Sequence, residues 1–285
     1  MQRTDCPSPS ALRVATARAA HQILESGQVF DDPFAVASLG STGAAALMRE
    51  PLVHNDVASR SMRAGIIARA RFSEDRLLSA IAQGSKQYAV VGAGLDTWAL
   101  RTASTLPAVT VFELDQPSMQ EWKARLYAEN RWRPENLRWL ATDLREVSTV
   151  DRLIAGGVDL SSPIGLSVLG VLVYLDKQVV EREIAAWGQL AAGSTIAFDY
   201  RLDEEQLHPV ERVMMQFTAN MMAAGGEPWC SSCTRQCMVE LLDGAGFDVE
   251  EDLGPAELNA RYFSGRRDGL QIAGGGFRCV SAIKR

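Results

Sequence analysis

Between positions 88 and 200 the sequence alternates short apolar, β-branched runs with longer amphipathic stretches, and this alternation restricts the fold more than any other feature. Runs at 88–92, 109–114, 137–141, 164–172 and 195–200 predict five strands. Helical patterns separate them, most clearly at 118–130 and 177–192. Such a series predicts an α/β fold, a mostly parallel sheet with helices on both faces. Its ligand should bind beyond the carboxyl ends of the strands, where the strand order reverses.

The flanks differ from this centre. Residues 10–26 predict a helix capped by Ser10, with Leu12, Ala15, Ala19 and Ile23 on one face and Gly27 at its end. Asp31, Asp32 and Pro33 should open a second short helix. A long amphipathic helix is expected at 61–82, its apolar positions interleaved with Arg63, Arg69, Arg71 and Arg76. Residues 204–226 form a Met-rich helical insert, and a last helix with two closing strands, at 239–249 and 277–283, is expected to build an antiparallel edge. We expect a single domain divided into a helical cap (1–84), a ligand-binding core (85–200), an insert or lid (201–232) and a closing part (233–285).

The 285 residues carry 29 Lys and Arg against 35 Asp and Glu, a net charge of −6, with no basic run able to supply phosphate-backbone affinity. Nucleic acid is therefore not an expected partner. No stretch reaches the roughly 18 consecutive apolar residues of a membrane span, and residues 1–10 do not read as a signal peptide. The expectation is a cytoplasmic protein with no membrane partner. Five cysteines, an odd number, fit a reducing compartment and leave at least one thiol unpaired in a monomer.

The chemistry starts in the loop Gly92-Ala93-Gly94-Leu95-Asp96-Thr97 after the first strand. Its glycines allow a sharp turn and a close ligand approach, yet Thr97 replaces the third glycine of a dinucleotide fingerprint, and no Gly-Lys-Ser/Thr follows as in a phosphate loop. About twenty residues on, the second strand ends in Asp115, a carboxylate suited to both hydroxyls of a ribose. After the third strand Asp143 can accept from an exocyclic adenine amine while Leu144 covers the ring. Asp143 read alone is equally a helix N-cap.

Three further groups are notable. Cys230, Cys233 and Cys237 have C-x2-C spacing plus a third thiol one turn on, but a structural zinc site takes four ligands, and the other cysteines, Cys6 and Cys279, are remote in sequence. The expectation is buried thiols and no metal. Met214, Met215, Met221 and Met222 make the insert either an adaptable lid over an apolar acceptor or ordinary helical core. The three histidines, His21, His54 and His208, sit on no motif, which leaves them as packing or surface residues.

Taken together, these stretches resemble the S-adenosylmethionine-dependent methyltransferases related to leucine carboxyl methyltransferase, a group that includes bacterial enzymes acting on small molecules, among them polyketide carboxyl methyltransferases. The resemblance rests on Thr16-Ala17-Arg18-Ala19, Phe30-Asp31-Asp32-Pro33-Phe34-Ala35, Ala68-Arg69-Ala70-Arg71-Phe72, Gly92 to Thr97 with Arg101, and Phe112 to Pro117 with Lys123. It continues through Thr142-Asp143-Leu144, Tyr174-Leu175 and Ala245-Gly246-Phe247, and runs from about position 14 to the end. It implies a seven-stranded class I Rossmann-like methyltransferase sheet. It also implies S-adenosyl-L-methionine as cofactor, S-adenosyl-L-homocysteine as product and a small-molecule acceptor, and leaves a homodimer open. In it Arg69 would meet the methionine carboxylate, Gly92 and Gly94 would line methionine and ribose, Asp115 would hold the ribose, and Asp143 with Leu144 the adenine. Arg18 is a second candidate for the carboxylate end.

One position departs from the pattern. Leu169 stands where family members carry an acidic residue beside the methionine amine, and Asp96 and Asp199 are the carboxylates able to replace it. The expected reaction is O-methylation of a carboxylate or hydroxyl. A carboxylate needs no base, whereas a phenol or alcohol would require one, with Tyr174 or a histidine as nominees. The rival reading, motivated by Leu169, is a scaffold that has lost methyl transfer and serves as a binding protein or catalyses another natural-product reaction. Methylation of a protein C-terminus is a third possibility, with no groove in the sequence to support it.

Overall fold

The computed structural model describes residues 8–285, so Cys6 lies outside the described residues. Seven strands, β1 (Gln87–Val91), β2 (Thr110–Asp115), β3 (Leu137–Ala141), β4 (Ile164–Val168), β5 (Thr195–Arg201), β6 (Phe247–Leu253) and β7 (Phe277–Lys284), form one sheet in the order β3-β2-β1-β4-β5-β7-β6. The first five are parallel; β7 runs antiparallel between β5 and β6. Because β1 pairs with both β2 and β4, the chain reverses its direction of travel across the sheet at β1. All of β4 and nearly all of β1 are buried, as strands covered on both faces must be.

Among the described residues ten α-helices surround the sheet: α1 (Pro9–Leu24), α2 (Gly40–Arg49), α3 (Val57–Ala82), α4 (Trp98–Thr102), α5 (Pro117–Asn130), α6 (Thr149–Ala155), α7 (Lys177–Trp187), α8 (Pro209–Ala224), α9 (Arg235–Gly244) and α10 (Pro255–Tyr262). The main core packs between one sheet face and α7 and α9, built around Leu166, Trp187, Phe198 and Leu242. On the other face Ala64, Ala68 and Phe72 of α3 meet Ala197 and Cys279. Among the described residues no helix is long and apolar enough to cross a membrane.

Several boundaries differ from the sequence expectation for identifiable reasons. The cap of α1 is Ser8, whose hydroxyl accepts from Ala11 N (3.1 Å), not Ser10; Pro9 has no N–H to satisfy and presets the first turn, so the helix opens earlier. Residues 33–36 form a turn rather than a helix, with Asp32 Oδ1 accepting from Phe34 N (3.2 Å) while Oδ2 pairs with Arg18 (2.7 Å). The helix expected at 61 begins at Val57, capped by Asp56. The fourth strand stops at Val168 instead of 172: Gly170 takes φ +65° and a 3₁₀ turn follows at Leu172–Tyr174. Apolarity alone does not separate a buried strand from a buried turn. Helix α7 likewise ends at Trp187, five residues short of the expected 192, and α10 was not foreseen.

The helical cap is held to itself by a buried charge cluster. Arg63 of α3, 1% exposed, donates from Nε and Nη2 to the two carboxylate oxygens of Glu25 (2.9 and 2.5 Å) and from Nη1 to the His54 carbonyl (2.6 Å). His21 Nδ1 lies 3.0 Å from the same carboxylate. Burial disfavours the charged Glu25, but hydrogen bonds from His21 and Arg63 prevail and hold its carboxyl below the ordinary value. Removing one partner of such a pair leaves an uncompensated buried charge. Arg63→Ala should therefore cost about 3–5 kcal/mol of unfolding free energy, read as a lowered urea midpoint. In the parent protein the stabilisation from Glu25 is present above the carboxyl's unfolded pKa and is lost as pH falls through the depressed folded value. Glu25→Gln should flatten that acid limb.

Candidate functional site

A cavity of about 1050 Å³ opens beyond the carboxyl ends of β1, β2 and β4, at the point where the strand order reverses. Every site residue expected from the sequence lines it: Arg69, Gly92, Gly94, Asp96, Asp115, Asp143, Leu144, Leu169 and Tyr174. So do Arg18 and Asp199, while none of the three histidines does.

The glycine loop is shaped by close approaches. Gly92 and Gly94 have φ of +64° and +50°, the left-handed region that favours glycine. A Cβ on Gly92 would stand 2.3 Å from Val171 Cγ2, so the loop after β4 lies directly on the loop after β1. Gly94 N donates to Asp115 Oδ2 (2.6 Å) and Gln116 N to Asp115 Oδ1 (2.7 Å). A carboxylate has about four lone-pair sites, so each oxygen of Asp115 keeps capacity for a further donor. Burial is the largest influence on Asp115 and raises its pKa, opposed by these two N–H bonds. Nearby, the Thr142 hydroxyl lies buried at the cavity wall with no hydrogen-bond partner among the described residues.

Asp143 does not cap a helix. The helix that follows, α6, is capped by Ser148, and Asp143 Oδ1 instead accepts from Arg145 N (3.0 Å) in a local turn closed by an ion pair with the Arg145 guanidinium (2.5 Å). The side-chain bonds from the Arg145 guanidinium lower the Asp143 pKa, with the Arg145 N–H adding to the effect. Its side chain remains 28% exposed beside buried Leu144.

At the other end of the cavity Arg69 Nη1 donates to Asp199 Oδ2 (2.6 Å), and Gly170 N donates to Asp199 Oδ1 (2.5 Å). A Cβ on Gly170 would meet Arg69 Nη2 at 2.8 Å, so the guanidinium lies flat against this backbone. Leu169 sits half-buried at the end of β4, and the register pairs Val168 with Phe198, which puts Asp199 one strand over at the level of Leu169. The carboxylate absent at 169 is thus present on β5. Asp96 is engaged elsewhere, accepting from Arg18 Nη1 (3.0 Å) and Trp98 N (2.7 Å).

Arg18 proves to be a hub. Its guanidinium is buried and reaches Asp32 (2.7 Å), Asp96 (3.0 Å) and the Thr97 hydroxyl (3.0 Å), which itself donates to Asp32 (2.8 Å). Sequence reading did not foresee Asp32 or Thr97 in this role; their only signal was presence in the two recognised motifs. The far wall is formed by Met214, Met215 and Met222 of α8 with Trp229 and Phe277, whose rings meet edge to face at 5.1 Å. The expectation of buried thiols fails for Cys230, which is exposed at the cavity; Cys233 and Cys237 are half-buried, and burial pushes the Cys233 thiol pKa up. Among the described residues no cluster of His, Cys, Asp and Glu is arranged to hold a metal ion.

Residues 11–187 match the leucine carboxyl methyltransferase family profile. YktD of Bacillus subtilis, a candidate S-adenosyl-L-methionine-dependent methyltransferase, is 32% identical over 208 residues, covering 72% of this chain and 67% of its own. A similarly named protein of Mycolicibacterium paratuberculosis is 31% identical over 258 residues, covering 84% and 82%. Among solved structures, a candidate methyltransferase from Thermobifida fusca superposes with TM-score 0.61 at 18% identity over 99% of this chain and 96% of its own. The [4+2]-cyclase SpnF superposes with TM-score 0.50 at 14% identity over 77% and 81%. The family match and the identity to the first two relatives agree with the seven-stranded sheet and its switch-point cavity: the chain belongs to the leucine carboxyl methyltransferase family of S-adenosylmethionine-dependent methyltransferases.

Proposed function

We propose that this protein transfers a methyl group from S-adenosylmethionine to an oxygen of a small-molecule acceptor, a carboxylate by preference. The carrying observation is that a single cavity joins the glycine loop, Asp115 and the Arg69–Asp199 pair to an apolar chamber walled by the insert. The residues present fit the cofactor. Asp115, with lone pairs to spare, suits a ribose diol; Asp143, Leu144 and the orphaned Thr142 hydroxyl suit an adenine. A zwitterionic amino acid requires one cation and one anion side by side, and Arg69 with Asp199 supply both. When bound, the cofactor supplies an electrophilic methyl group.

The acceptor follows from what the cavity lacks. Its walls contain no imidazole. An alcohol or phenol would have to lose a proton during the reaction, whereas a carboxylate is already ionised at neutral pH. Catalysis then rests on positioning, an effect worth up to about 7–11 kcal/mol. Tyr174, on the 3₁₀ turn at the cavity wall, orients the acceptor in this reading rather than removing a proton. The second reading, a scaffold without methyl transfer, is favoured by Leu169 and by the cyclase fold neighbour. Asp199 weakens it, since the negative charge is kept.

Two outcomes are expected. Calorimetric titration should give micromolar binding of S-adenosylmethionine and S-adenosylhomocysteine, weakened at least tenfold, about 1.4 kcal/mol, by Asp115→Ala; absence of binding to the parent protein would sink the proposal. With an acceptor found by screening carboxylic acids against methyl-labelled cofactor, kcat/KM should stay level from pH 6 to 8, and Tyr174→Phe should lower it less than fivefold. A rate that climbs through that interval would instead demand a base.

A further inference from the structure

The charges along the cavity wall do not all cancel. Four arginines line it, and three are ion-paired: Arg18 with Asp32 and Asp96, Arg69 with Asp199, and Arg145 with Asp143. The fourth, Arg13, meets no carboxylate among the described residues; its guanidinium donates to the Met222 sulfur. A thioether is a weak acceptor and carries no charge. Of the five carboxylates on the wall, four are bound to the three paired arginines or to the backbone N–H groups of Gly94 and Gln116. The fifth, Glu227, accepts from the N–H (2.7 Å) and hydroxyl (3.2 Å) of Ser10, one turn before Arg13 on α1. Arg13 is therefore a half-buried guanidinium, rich in donors, beside a chamber whose other surfaces include Ile66, Met215, Met222, Trp229 and Phe277.

We propose that Arg13 is an acceptor-binding residue that reads a carboxylate on a molecule with a large apolar body. A planar guanidinium pairs with a carboxylate through two parallel N–H···O bonds, and such bonds are strongest where water is scarce. The flexible thioether of Met222 serves as a placeholder for that oxyanion, able to swing away when the ligand enters. Cofactor and acceptor are thus read by different arginines, Arg69 on α3 and Arg13 on α1. The proposal rests on the cofactor reading for the other end of the cavity but makes a separate claim about this one.

The test uses a matched pair of fluorescent probes, 1-pyrenebutyrate and 1-pyrenebutanol, titrated into the full-length protein with fluorescence anisotropy as readout, with S-adenosylhomocysteine binding followed separately by calorimetry. The parent protein should bind the acid at least tenfold more tightly than the alcohol. Arg13→Gln should abolish that preference while leaving alcohol binding and S-adenosylhomocysteine binding within twofold, which also shows that the variant is folded. Equal binding of acid and alcohol by the parent, failure of both probes to bind, or a preference that survives in Arg13→Gln would each overturn the assignment. Loss of S-adenosylhomocysteine binding in Arg13→Gln alone would overturn it too, by assigning Arg13 to the cofactor. Failure of the parent to bind S-adenosylhomocysteine, with the acid preference intact and dependent on Arg13, would refute the cofactor reading and leave this one standing.

Discussion

The buried Arg18 guanidinium is the contact on which the shape of the site depends. It ties α1 to the loop after β1 through Asp96 and Thr97, and to the turn at 33–36 through Asp32. Arg101, paired with Glu74 of α3, completes the cluster, and the Arg18 and Arg101 guanidinium carbons stand 5.1 and 4.8 Å from the Phe30 ring. Taking this many charges out of water is costly, and the arrangement persists because nearly every donor finds an acceptor; within the cluster Arg18 Nε alone has none among the described residues. Such a cluster has few alternative geometries. It fixes α1 over the glycine loop, where Ala11 comes within contact of the space beside Gly94, and so gives the cavity its roof.

The Leu169 substitution shows why a site is better judged by its charges than by its positions. On the sequence the loss of an acidic residue reads as damage to cation binding. In the fold the neighbouring strand delivers Asp199 at the same level, with one oxygen on Gly170 N and the other on Arg69. Both of its oxygens are thus engaged, and its side chain is almost wholly buried. An acid at 169 as well would add a second negative charge next to Gly170, on which Arg69 lies, and like charges close together disfavour one another. Leucine at 169 is consistent with the pair already present.

Much of the fold was legible because the parallel sheet obeys local rules. The third strand ends where its apolar run ends, and the glycine loop and Asp115 fall at the carboxyl ends of adjacent strands because the βαβ repeat forces them there. What escaped was decided by tertiary partners. The Asp31-Asp32-Pro33 segment has the composition of a helix start, and Asp32 does accept from Phe34 N, but its other oxygen is held by Arg18 and the chain turns instead of continuing as a helix. The apolar run after Val168 reads as strand until Gly170 turns it, and no local signal announces that Asp199 will take the Gly170 N–H. The nine expected site residues share one cavity, yet the pairing of Arg69 with Asp199 and the open valence of Arg13 depend on residues 130 and 209 positions away.

The topology also divides the labour of the site. The residues suited to a nucleoside and an amino acid stand at strand ends or on the long α3, where sheet register and helix packing hold them rigidly. The apolar chamber is walled by α1 and by the insert carrying α8, which leaves the carboxyl end of β5 and lies along the cavity before the chain returns as β6 and β7. On α8, Met215 and Met222 are buried toward the chamber while Val210, Val213, Met214, Phe217 and Met221 remain exposed. The side-chain hydrogen bonds of Arg212 and Gln216 on this helix go to Glu204 rather than to the sheet, so its side chains can change without disturbing Asp115 or Arg69. The two halves of the cavity are thus built from parts of the chain that obey different constraints.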